Sequence, residues 1–562
     1  MPRLTIDGRA VEVPAGATLL EAARAAGVEI PTLCHLGGFA PDPSCFVCVV
    51  QVEGQAGMVP SCAAPAADGL AVQTATEDVL AARRMALELL LSDHTGDCVA
   101  PCTLACPAHL DVADFVSCIK AGDHRRAVEV IKRTIALPAA LGRICPRFCE
   151  RSCRRKELDE PVAICSLRRF AADLDLESGE PFVPEKRAAT GKRAAIVGAG
   201  PAGLAAAYYL LQEGHGCTLY EVRAEPGGLF RYGVGERRLP AQVLDAEIEI
   251  VRRLGADIRC NAPLVADHSA AGTAVTLDQL RRDYDAVLLA IGPQVRGESP
   301  AAFSPAGHAA AGQIDLEFIR RLGFEASPRG LKVDRQTLAA AGAVGPGIFA
   351  AGGVVSGPNY GVHAVAAGRR AALTMDQFLR SQTVSGEAHT VNVLLHDLSA
   401  EEVSRLHAGA SPARRAKLPA EVEGGAERGL TETEARTEAG RCLDCDCGKR
   451  RDCLLRDLAA RHGAAPGRHR GARREFRRDA SHPEIVYESG KCIQCGRCLR
   501  VAEAAGEPLG LAFVGRGFSV RVAAAFDQQI ALGLRAAGRR AAQVCPTGAL
   551  SLKRALRGNG GP

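Results

Sequence analysis

The sequence predicts a multidomain α/β protein, and three observations support that prediction. Its 562 residues suffice for roughly three to five domains. An apolar run, Ala194 to Val197, leads into a glycine-rich turn and a helix-like stretch of small residues, which is the order of elements in a parallel sheet. The 22 cysteines form close groups on both sides of that stretch. We therefore expect a central α/β domain flanked by cysteine-rich domains.

The glycine-rich turn has the spacing of a dinucleotide-binding fingerprint. It reads Gly198-x-Gly200-x-x-Gly203, and a second strand-like run follows and ends at Glu221. Gly198 permits the tight turn, Gly200 lets a pyrophosphate approach the backbone, and Gly203 lets the helix pack against the strand. The pyrophosphate then binds N–H groups at the helix N-terminus, and Glu221 accepts hydrogen bonds from ribose hydroxyls. The alternative is an ordinary glycine turn without a ligand.

Composition limits the class of protein. Apolar residues make up 47% and charged residues 24% of a chain with net charge +5, which indicates a globular protein and gives no reason to expect a nucleic-acid partner. No apolar run of about 18 residues is present, so no membrane span is expected. The N-terminus alternates like a strand and lacks the apolar core of a signal peptide. We expect a cytoplasmic protein.

The first cysteine group predicts an iron–sulfur domain over residues 1–78. Its ligands follow the pattern C-x10-C-x2-C-x13-C: Cys34, Cys45, Cys48 and Cys62. Three ligands on one loop and a distant fourth are the plan of a [2Fe–2S] ferredoxin; zinc is the alternative, although it usually takes paired C-x2-C units. The gaps resemble the N-terminal ferredoxin domain of the complex I large iron–sulfur subunit and of iron-only hydrogenases. That resemblance implies a β-grasp fold.

Residues 79–188 contain the second cysteine group. The ligand candidates are His94, Cys98, Cys102, Cys106, Cys145, Cys149, Cys153 and Cys165. The His-x3-Cys start resembles the complex I subunit, in which a histidine joins three cysteines on a [4Fe–4S] cluster. The remainder resembles the helical domain of the glutamate synthase small subunit and dihydropyrimidine dehydrogenase, which holds two [4Fe–4S] clusters.

The second resemblance implies how these ligands are shared. Cys98 and Cys102 share one cluster with the distant Cys153, and His94 is the candidate for the fourth ligand of that cluster. The other set is Cys106, Cys145 and Cys149, with Cys165 as the candidate fourth. The family's non-cysteine ligand position falls at Arg168, which cannot ligate iron. His94 could instead be a solvated residue at a helix end, and Cys118 is expected to pack in a core.

Residues 189–385 resemble the FAD-binding half of the glutamate synthase small subunit. The expected FAD-binding residues are Gly198, Gly200, Pro201, Ala202, Gly203, Glu221, Gly228, Leu229, Gly352 and Gly353. Gly353 stands where the family has an acid that hydrogen-bonds the ribityl chain. The family's second Rossmann domain, for NAD(P)H, has no counterpart, because only about fifty residues separate Gly292 from Gly347 and a βαβ unit with its own core needs more chain. NAD(P)H binding is therefore doubtful.

The C-terminal part adds two more cysteine groups. We expect residues 386–430 to form a linker and residues 431–562 to form a ferredoxin-like domain with a disordered tail. This domain begins with a helix that Thr431 and Glu434 are expected to cap. One group, C-x2-C-x-C-x5-C, predicts a [4Fe–4S] cluster or zinc: Cys442, Cys445, Cys447 and Cys453. The other resembles a [4Fe–4S] site of the complex I large subunit: Cys492, Cys495, Cys498 and Cys545.

These predictions lead to three functional hypotheses. The first is an iron–sulfur flavoprotein that passes electrons between FAD, one [2Fe–2S] and three or four [4Fe–4S] clusters, and a partner subunit or ferredoxin, within a larger oxidoreductase. The second is a self-contained NAD(P)H:acceptor oxidoreductase. The third is an iron–sulfur scaffold without flavin, suggested by Gly353. No acid–base pair or nucleophile is singled out, as suits an enzyme whose chemistry is electron transfer.

Overall fold

The structure, a computed structural model, describes residues 1–266, 272–293, 314–342, 345–357, 359–388, 390–416, 429–469 and 471–554. The chain separates into two compact units. The first unit comprises residues 1–100, 389–409 and 445–562, and the second unit comprises residues 101–388 and 410–444. The first unit is thus built from three separate stretches of the chain. The predicted disordered tail, at residues 555–562, lies outside the described residues.

The N-terminal part of the first unit is a mixed five-stranded sheet with one helix. Its elements are β1 (Arg3–Ile6), β2 (Arg9–Glu12), α1 (Leu19–Ala25), β3 (Val49–Val52), β4 (Met58–Pro60) and β5 (Ala71–Gln73). The strand order is β2-β1-β5-β3-β4, and only β1 and β5 pair in parallel. Leu4 and Ile6 alternate into the core, and a reciprocal hydrogen-bonded cap between Thr18 and Glu21 begins α1. This arrangement confirms the predicted β-grasp domain.

The rest of the first unit combines helices with small antiparallel sheets. The elements are α2 (Glu77–Ser92), α16 (Ala400–Leu406), α18 (Leu454–Arg461), β15 (Arg478–Asp479), β16 (Ile485–Glu488), α19 (Arg497–Ala504), β17 (Leu511–Val514), β18 (Arg521–Ala524), α20 (Ile530–Gly533), α21 (Gly538–Val544) and β19 (Leu550–Leu552). Strands β15-β16-β19 form one sheet and β17-β18 another. Leu87 and Leu91 of α2 share a core with Leu455 and Leu458 of α18, so distant stretches of chain fold together.

The helical part of the second unit surrounds one hydrophobic core. Its helices are α3 (Pro101–Ala105), α4 (Val112–Ala121), α5 (His124–Lys132), α6 (Pro138–Ile144), α7 (Phe148–Arg151), α8 (Ile164–Glu177) and α17 (Glu432–Gly440). Thr431 caps α17 and Glu434 returns the hydrogen bond, which confirms the predicted helix start. Ala435 and Ala439 of α17 join the same core as α4 and α8.

A parallel five-stranded sheet forms the rest of the second unit and confirms the predicted Rossmann-like fold. Its strands are β6 (Arg193–Val197), β7 (Gly216–Tyr220), β8 (Asp257–Arg259), β11 (Ala286–Leu289) and β14 (Ile348–Ala350), in the order β14-β11-β6-β7-β8. Helix α9 (Pro201–Gln212) packs against α15 (Gly361–Leu379). Gly368 permits this contact, because a Cβ there would lie 2.1 Å from the Ala202 carbonyl oxygen. The carboxyl ends of the strands therefore share one edge with the glycine turn.

Short elements complete the second unit. They are α10 (Leu229–Tyr232), α11 (Ala241–Arg253), β9 (Leu264–Val265), β10 (Val275–Thr276), α12 (Leu277–Asp283), α13 (Leu316–Arg321), β12 (Ala326–Ser327), β13 (Gly330–Leu331) and α14 (Gly353–Ser356). Between β11 and β14 the described residues form α13 and the β12–β13 hairpin, and residues 294–313 fall outside the description. Across the parts of the chain that are described, no helix has the length and apolar character that crossing a bilayer requires.

Glu247 makes the stability of the second unit depend on pH. The buried carboxylate accepts hydrogen bonds from the N–H groups of Ala139 (2.6 Å) and Ala140 (2.9 Å) at the start of α6, and burial raises its pKa from 4.5 to about 7. The folded protein therefore binds a proton that the unfolded chain releases between these pH values, and unfolding becomes easier as pH rises from 4.5 to 7. The native protein should lose about 3 kcal/mol of unfolding free energy as pH rises through this range. We expect this loss to be absent in Glu247→Gln.

Thermal unfolding of the two proteins across this pH range measures the effect. Glu249→Gln is the matched control, because Glu249 lies on the same helix with its side chain 49% exposed. Parallel pH profiles for the native protein and Glu247→Gln would contradict the expectation.

Candidate functional site

A cavity of about 510 Å³ lies at the carboxyl edge of the parallel sheet. Its volume is within the range of roughly 300–1,000 Å³ that is common for small-molecule sites. Nine of the ten predicted FAD-binding residues line it: Gly198, Gly200, Pro201, Ala202, Glu221, Gly228, Leu229, Gly352 and Gly353. Gly203 instead packs beneath the turn, where a Cβ would lie 1.9 Å from the Gly198 carbonyl oxygen.

The glycine turn presents its backbone to the cavity. Gly198 has φ 103°, and a Cβ there would lie 2.5 Å from the Ala290 carbonyl oxygen, so only glycine fits. Gly200 is the N-cap of α9 and makes no side-chain cap, which leaves N–H groups of the first turn for a ligand. A Cβ on Gly228 would lie 2.7 Å from Gly200 Cα, so the two glycines pass each other closely. These features fit a pyrophosphate.

Glu221 is held at the end of β7 by backbone hydrogen bonds. One carboxylate oxygen, Oε2, accepts from the Ala199 N–H (2.8 Å), and Oε1 accepts from the Arg223 N–H (3.0 Å). The side chain is buried and lines the cavity. Each oxygen keeps a further lone pair for a ribose hydroxyl. Glu221 thus also fixes the glycine turn, a role that the sequence did not predict.

The structure gives a reason for the missing acid at position 353. A Cβ on Gly353 would lie 2.5 Å from Cδ of Pro293, so Pro293 occupies the space that a side chain would need. Gly352 is as confined, because a Cβ there would lie 2.8 Å from the Cβ of Ala202. Sequence reasoning missed Pro293 because only the fold brings it beside Gly353.

We expect Gly353→Asp to lower the FAD content of the purified protein, although it restores the residue of the family. The side chain displaces Pro293 from the cavity wall, and a displaced wall binds the cofactor less well. Flavin released by acid, measured per chain, checks this result. Gly235→Asp is the control, because no atom lies within 4 Å of a Cβ at Gly235. A flavin content equal to or above that of the native protein would refute the steric explanation.

An aromatic cluster joins the cavity wall to the second cysteine group within the second unit. His363 lines the cavity, and its ring lies 5.5 Å from the ring of Phe148, edge to face. Tyr360 contacts Phe148 at 5.3 Å, and Phe148 precedes Cys149. Burial lowers the pKa of His363, and its Nδ1 is buried without a hydrogen-bond partner among the described residues. These residues lie far apart in sequence, so no local pattern identifies them.

The N-terminal part of the first unit contains all four cysteines of the first group. Cys34, Cys45, Cys48 and Cys62 are each at most 3% exposed. Cys45 and Cys62 are close enough to Cys34, and Cys62 to Cys48, to lower the pKa of Cys34 and of Cys48. The contact with Cys62 lowers the pKa of Cys48 to about 6. A compact set of four buried thiols fits a [2Fe–2S] cluster.

A second set of four thiols lies in the helical part of the second unit. Cys145 and Cys149 are close enough to Cys165 to act on its pKa, and Cys106 is close enough to Cys149 to raise the pKa of that thiol. Beside them lies Arg168, buried and with Nε unpaired among the described residues. An unpaired buried donor beside four thiols fits an anionic cluster. The resemblance implies Cys106, Cys145 and Cys149 as ligands, with Cys165 as the candidate fourth, and this ligand set stays a prediction.

Three further cysteines contact the hydrophobic core of the second unit. Cys102, Cys153 and Cys442 are half-buried against the core of the second unit. Arg441 is near enough to Cys153 to act on its pKa, which burial raises. The predicted ligand roles of these three cysteines and of Cys445 stay predictions.

The first unit assembles a site that sequence spacing did not indicate. His94, Cys98, Cys447 and Cys453 line one small cavity. The Cys447 N–H donates to the Cys98 carbonyl oxygen at 3.4 Å, and burial, together with Cys447 and Cys98, raises the pKa of Cys453 to about 12. Burial lowers the pKa of His94 to about 3, which keeps the imidazole neutral as a metal ligand must be.

This grouping differs from both predicted groupings of these residues. The resemblance placed Cys98 with Cys102 and Cys153, and the local spacing placed Cys447 and Cys453 with two nearby cysteines. The physical reason is backbone pairing within the first unit: Cys98 donates to the Val393 carbonyl oxygen (3.0 Å), and Thr95 donates to that of Gly490 (2.8 Å). These bonds fix the 94–98 loop, and the bond from the Cys447 N–H to the Cys98 carbonyl oxygen joins the loop to residue 447.

The last set lies in the C-terminal stretch of the first unit. Burial raises the pKa of Cys492 to about 11 and that of Cys495 to about 12, and Cys545 contributes to both increases. Cys492, Cys545 and Cys495 likewise act on Cys498, so the four thiols of the predicted [4Fe–4S] site lie close together. Among the described residues, no group of three or more His, Cys, Asp or Glu side chains has the geometry of a site for a metal ion.

Comparisons with known proteins match three segments of the chain. Residues 2–77 match a 2Fe-2S iron-sulfur cluster binding domain. Residues 92–180 match dihydropyrimidine dehydrogenase domain II, with a 4Fe-4S cluster. Residues 196–246 match an NAD(P)-binding Rossmann-like domain. The matches confirm the predicted order of an N-terminal 2Fe-2S domain, a helical 4Fe-4S domain and a Rossmann-like domain.

Several curated proteins are similar to parts of the chain. The NADP(+)-dependent formate dehydrogenase subunit beta of Moorella thermoacetica is 37% identical over 41% of this chain and 34% of its own length. The NAD-dependent dihydropyrimidine dehydrogenase subunit PreT homolog of Salmonella typhi is 36% identical over 40% and 51%. The glutamate synthase [NADPH] small chain of Bacillus subtilis (strain 168) is 34% identical over 34% and 38%. The chain thus matches only a third to a half of each relative, and the predicted resemblance to glutamate synthase and dihydropyrimidine dehydrogenase is confirmed.

Proposed function

We propose that the chain is an electron-transfer subunit of a larger oxidoreductase, in which FAD bound in the glycine-lined cavity exchanges electrons with iron–sulfur clusters held by the thiol sets. The observation that carries the proposal is the shared wall in the second unit. His363 lines the cavity and contacts Phe148, whose neighbour in the chain is Cys149. Electron transfer is faster when only one layer of side chains separates the donor from the acceptor than when the distance between them is larger.

The residues of the cavity would bind and orient FAD. The glycine turn would receive the pyrophosphate at the start of α9, and Glu221 would fix both that turn and a ribose. Phe230 and Pro293 line the cavity on its apolar side and would keep water from the cofactor. When bound, FAD supplies the exchange of two electrons that it can pass on singly, and each iron–sulfur cluster carries one.

The other thiol sets would connect this centre with a partner. Two four-ligand sets lie in the first unit with the [2Fe–2S] candidate, so that unit is suited to receive or deliver electrons one at a time. The proposed partners are other oxidoreductase subunits or a ferredoxin. Relatives that match the chain in part include proteins described as subunits, which supports a multi-subunit assembly.

A second candidate function is direct oxidation of NADH or NADPH by the flavin. It is favoured by the match of residues 196–246 to an NAD(P)-binding Rossmann-like domain. Rapid anaerobic mixing of the whole chain with each nucleotide separates the two functions. The electron-transfer subunit predicts that the flavin stays oxidised until a partner or chemical reductant is added. Prompt bleaching by either nucleotide alone would support the second function and contradict the first.

Cofactor analysis tests the proposal itself. Protein purified without oxygen should contain FAD, iron and acid-labile sulfide. Iron and sulfide without any flavin would contradict the proposal and leave the scaffold without flavin as the function.

A further inference from the structure

Arg168 is a buried cation beside the four thiols of the second unit. It lies on α8 and is 1% exposed, one turn after Cys165. Its Nη2 donates to the Leu141 carbonyl oxygen at 2.7 Å and lies 3.9 Å from Cys165 Sγ. Its Nε has no hydrogen-bond partner among the described residues. The guanidinium is therefore anchored by one carbonyl, reaches the sulfur of Cys165 through the same nitrogen, and keeps an unused donor at Nε.

The charge of Arg168 needs a counter-charge. Burying an unpaired cation is costly, and burial by itself would lower the pKa of Arg168. The sulfur that Arg168 contacts is that of Cys165, one of the four proposed cluster ligands. The negative charge that balances Arg168 thus comes from the thiol set and whatever that set binds.

We propose that Arg168 sets the reduction potential of the cluster bound by these four thiols. This inference rests on the proposed function, which places a cluster there. Uptake of one electron from a donor, whether the flavin or a chemical reductant, makes the cluster more negative by one charge and breaks no bond. The attraction of a fixed nearby cation is stronger for the more negative state, and hydrogen bonds to cluster sulfur act in the same direction. Arg168 therefore raises the midpoint potential and favours electron entry.

The neighbouring Arg169 provides a matched comparison. Its Nε donates to the Asp173 carboxylate at 3.2 Å, which Arg143 also binds, so Arg169 contacts a carboxylate. Removing Arg169 should therefore leave the potential of the cluster nearly unchanged. Arg168 and Arg169 differ by one position on the same helix, and Arg168 contacts the sulfur of Cys165.

A redox titration of the whole chain, followed by EPR, tests the proposal. We expect Arg168→Gln to shift the midpoint of this one cluster to a more negative potential, while Arg168→Lys stays near the native value and Arg169→Gln does not move it. The midpoints of the other clusters serve as internal standards. An unchanged midpoint in Arg168→Gln, or equal shifts in Arg168→Gln and Arg168→Lys, would overturn the proposal.

A second measurement covers the case in which Arg168→Gln fails to assemble the cluster. Pulsed EPR of the reduced native protein, labelled with ¹⁵N-arginine, should show a nitrogen coupling to this cluster that is absent in Arg168→Lys. A native spectrum without that coupling would overturn the proposal. Iron and sulfide content and the EPR spectrum of the native protein separate failure of the proposed function from failure of the role of Arg168. Absence of a cluster at these thiols refutes the proposed function. A cluster without the expected shift refutes only the role of Arg168.

Discussion

Replacing Gly200 by valine should remove FAD from the protein and leave the second unit folded. The nearest atom to a Cβ at this position is Gly228 Cα at 3.7 Å, an ordinary contact, and the φ of Gly200 is −78°, which other residues adopt. The added side chain meets only the cavity, where the pyrophosphate approaches the backbone. We expect at least a tenfold loss of flavin per chain, equivalent to about 1.4 kcal/mol or more of binding free energy.

The flavin content of Gly200→Val is measured beside its iron content. Iron should remain near the native value, because the thiol sets do not depend on this turn. Gly235→Val is the control in an open part of the second unit. Native flavin content in Gly200→Val would show that the cofactor does not bind at the glycine turn.

Replacing Cys98 or Cys447 by alanine should remove the same iron–sulfur cluster. The two residues are far apart in sequence, yet they line one cavity with His94 and Cys453. Each replacement should lower the iron content by about four atoms per chain and abolish the same EPR signal. The double replacement should cause no additional loss, because both residues serve one site.

Two further variants sharpen this test. Cys442→Ala should affect a different signal, since Cys442 packs against the core of the second unit. Cys260→Ser is the control for loss of a thiol, because Cys260 lies apart from the thiol sets. The structural grouping fails if Cys442→Ala and Cys447→Ala abolish one and the same signal while Cys98→Ala leaves it intact.

Local patterns in the sequence predicted much of the fold. The turn at Gly198 and Gly200 follows directly from glycine spacing after an apolar strand, and the structure places it at the edge of a parallel sheet. Thr431 and Glu434 predicted a helix start that the structure contains. In each case the residues that determine the turn or the helix start are close together in the chain, so the local sequence is sufficient to predict them.

Contacts between distant residues explain what the sequence did not predict. Cys98 joins Cys447 because backbone hydrogen bonds to Val393 and Gly490 hold its loop, and no spacing rule relates these positions. Gly353 was treated as a lost polar contact, whereas the position of Pro293 shows that a side chain has no room there. The contact of His363 with Phe148 likewise depends on how two segments of the second unit pack.

The most direct test of the account follows one electron from the flavin to the thiol set that contains Cys149. A light pulse reduces the bound flavin in the whole chain, without oxygen and with EDTA as the sacrificial electron donor, and EPR of samples frozen at successive times records the cluster signal that Cys149→Ala removes. The account predicts that this signal grows as the reduced flavin disappears. A flavin that stays reduced, in protein whose cluster accepts electrons from dithionite, would contradict it.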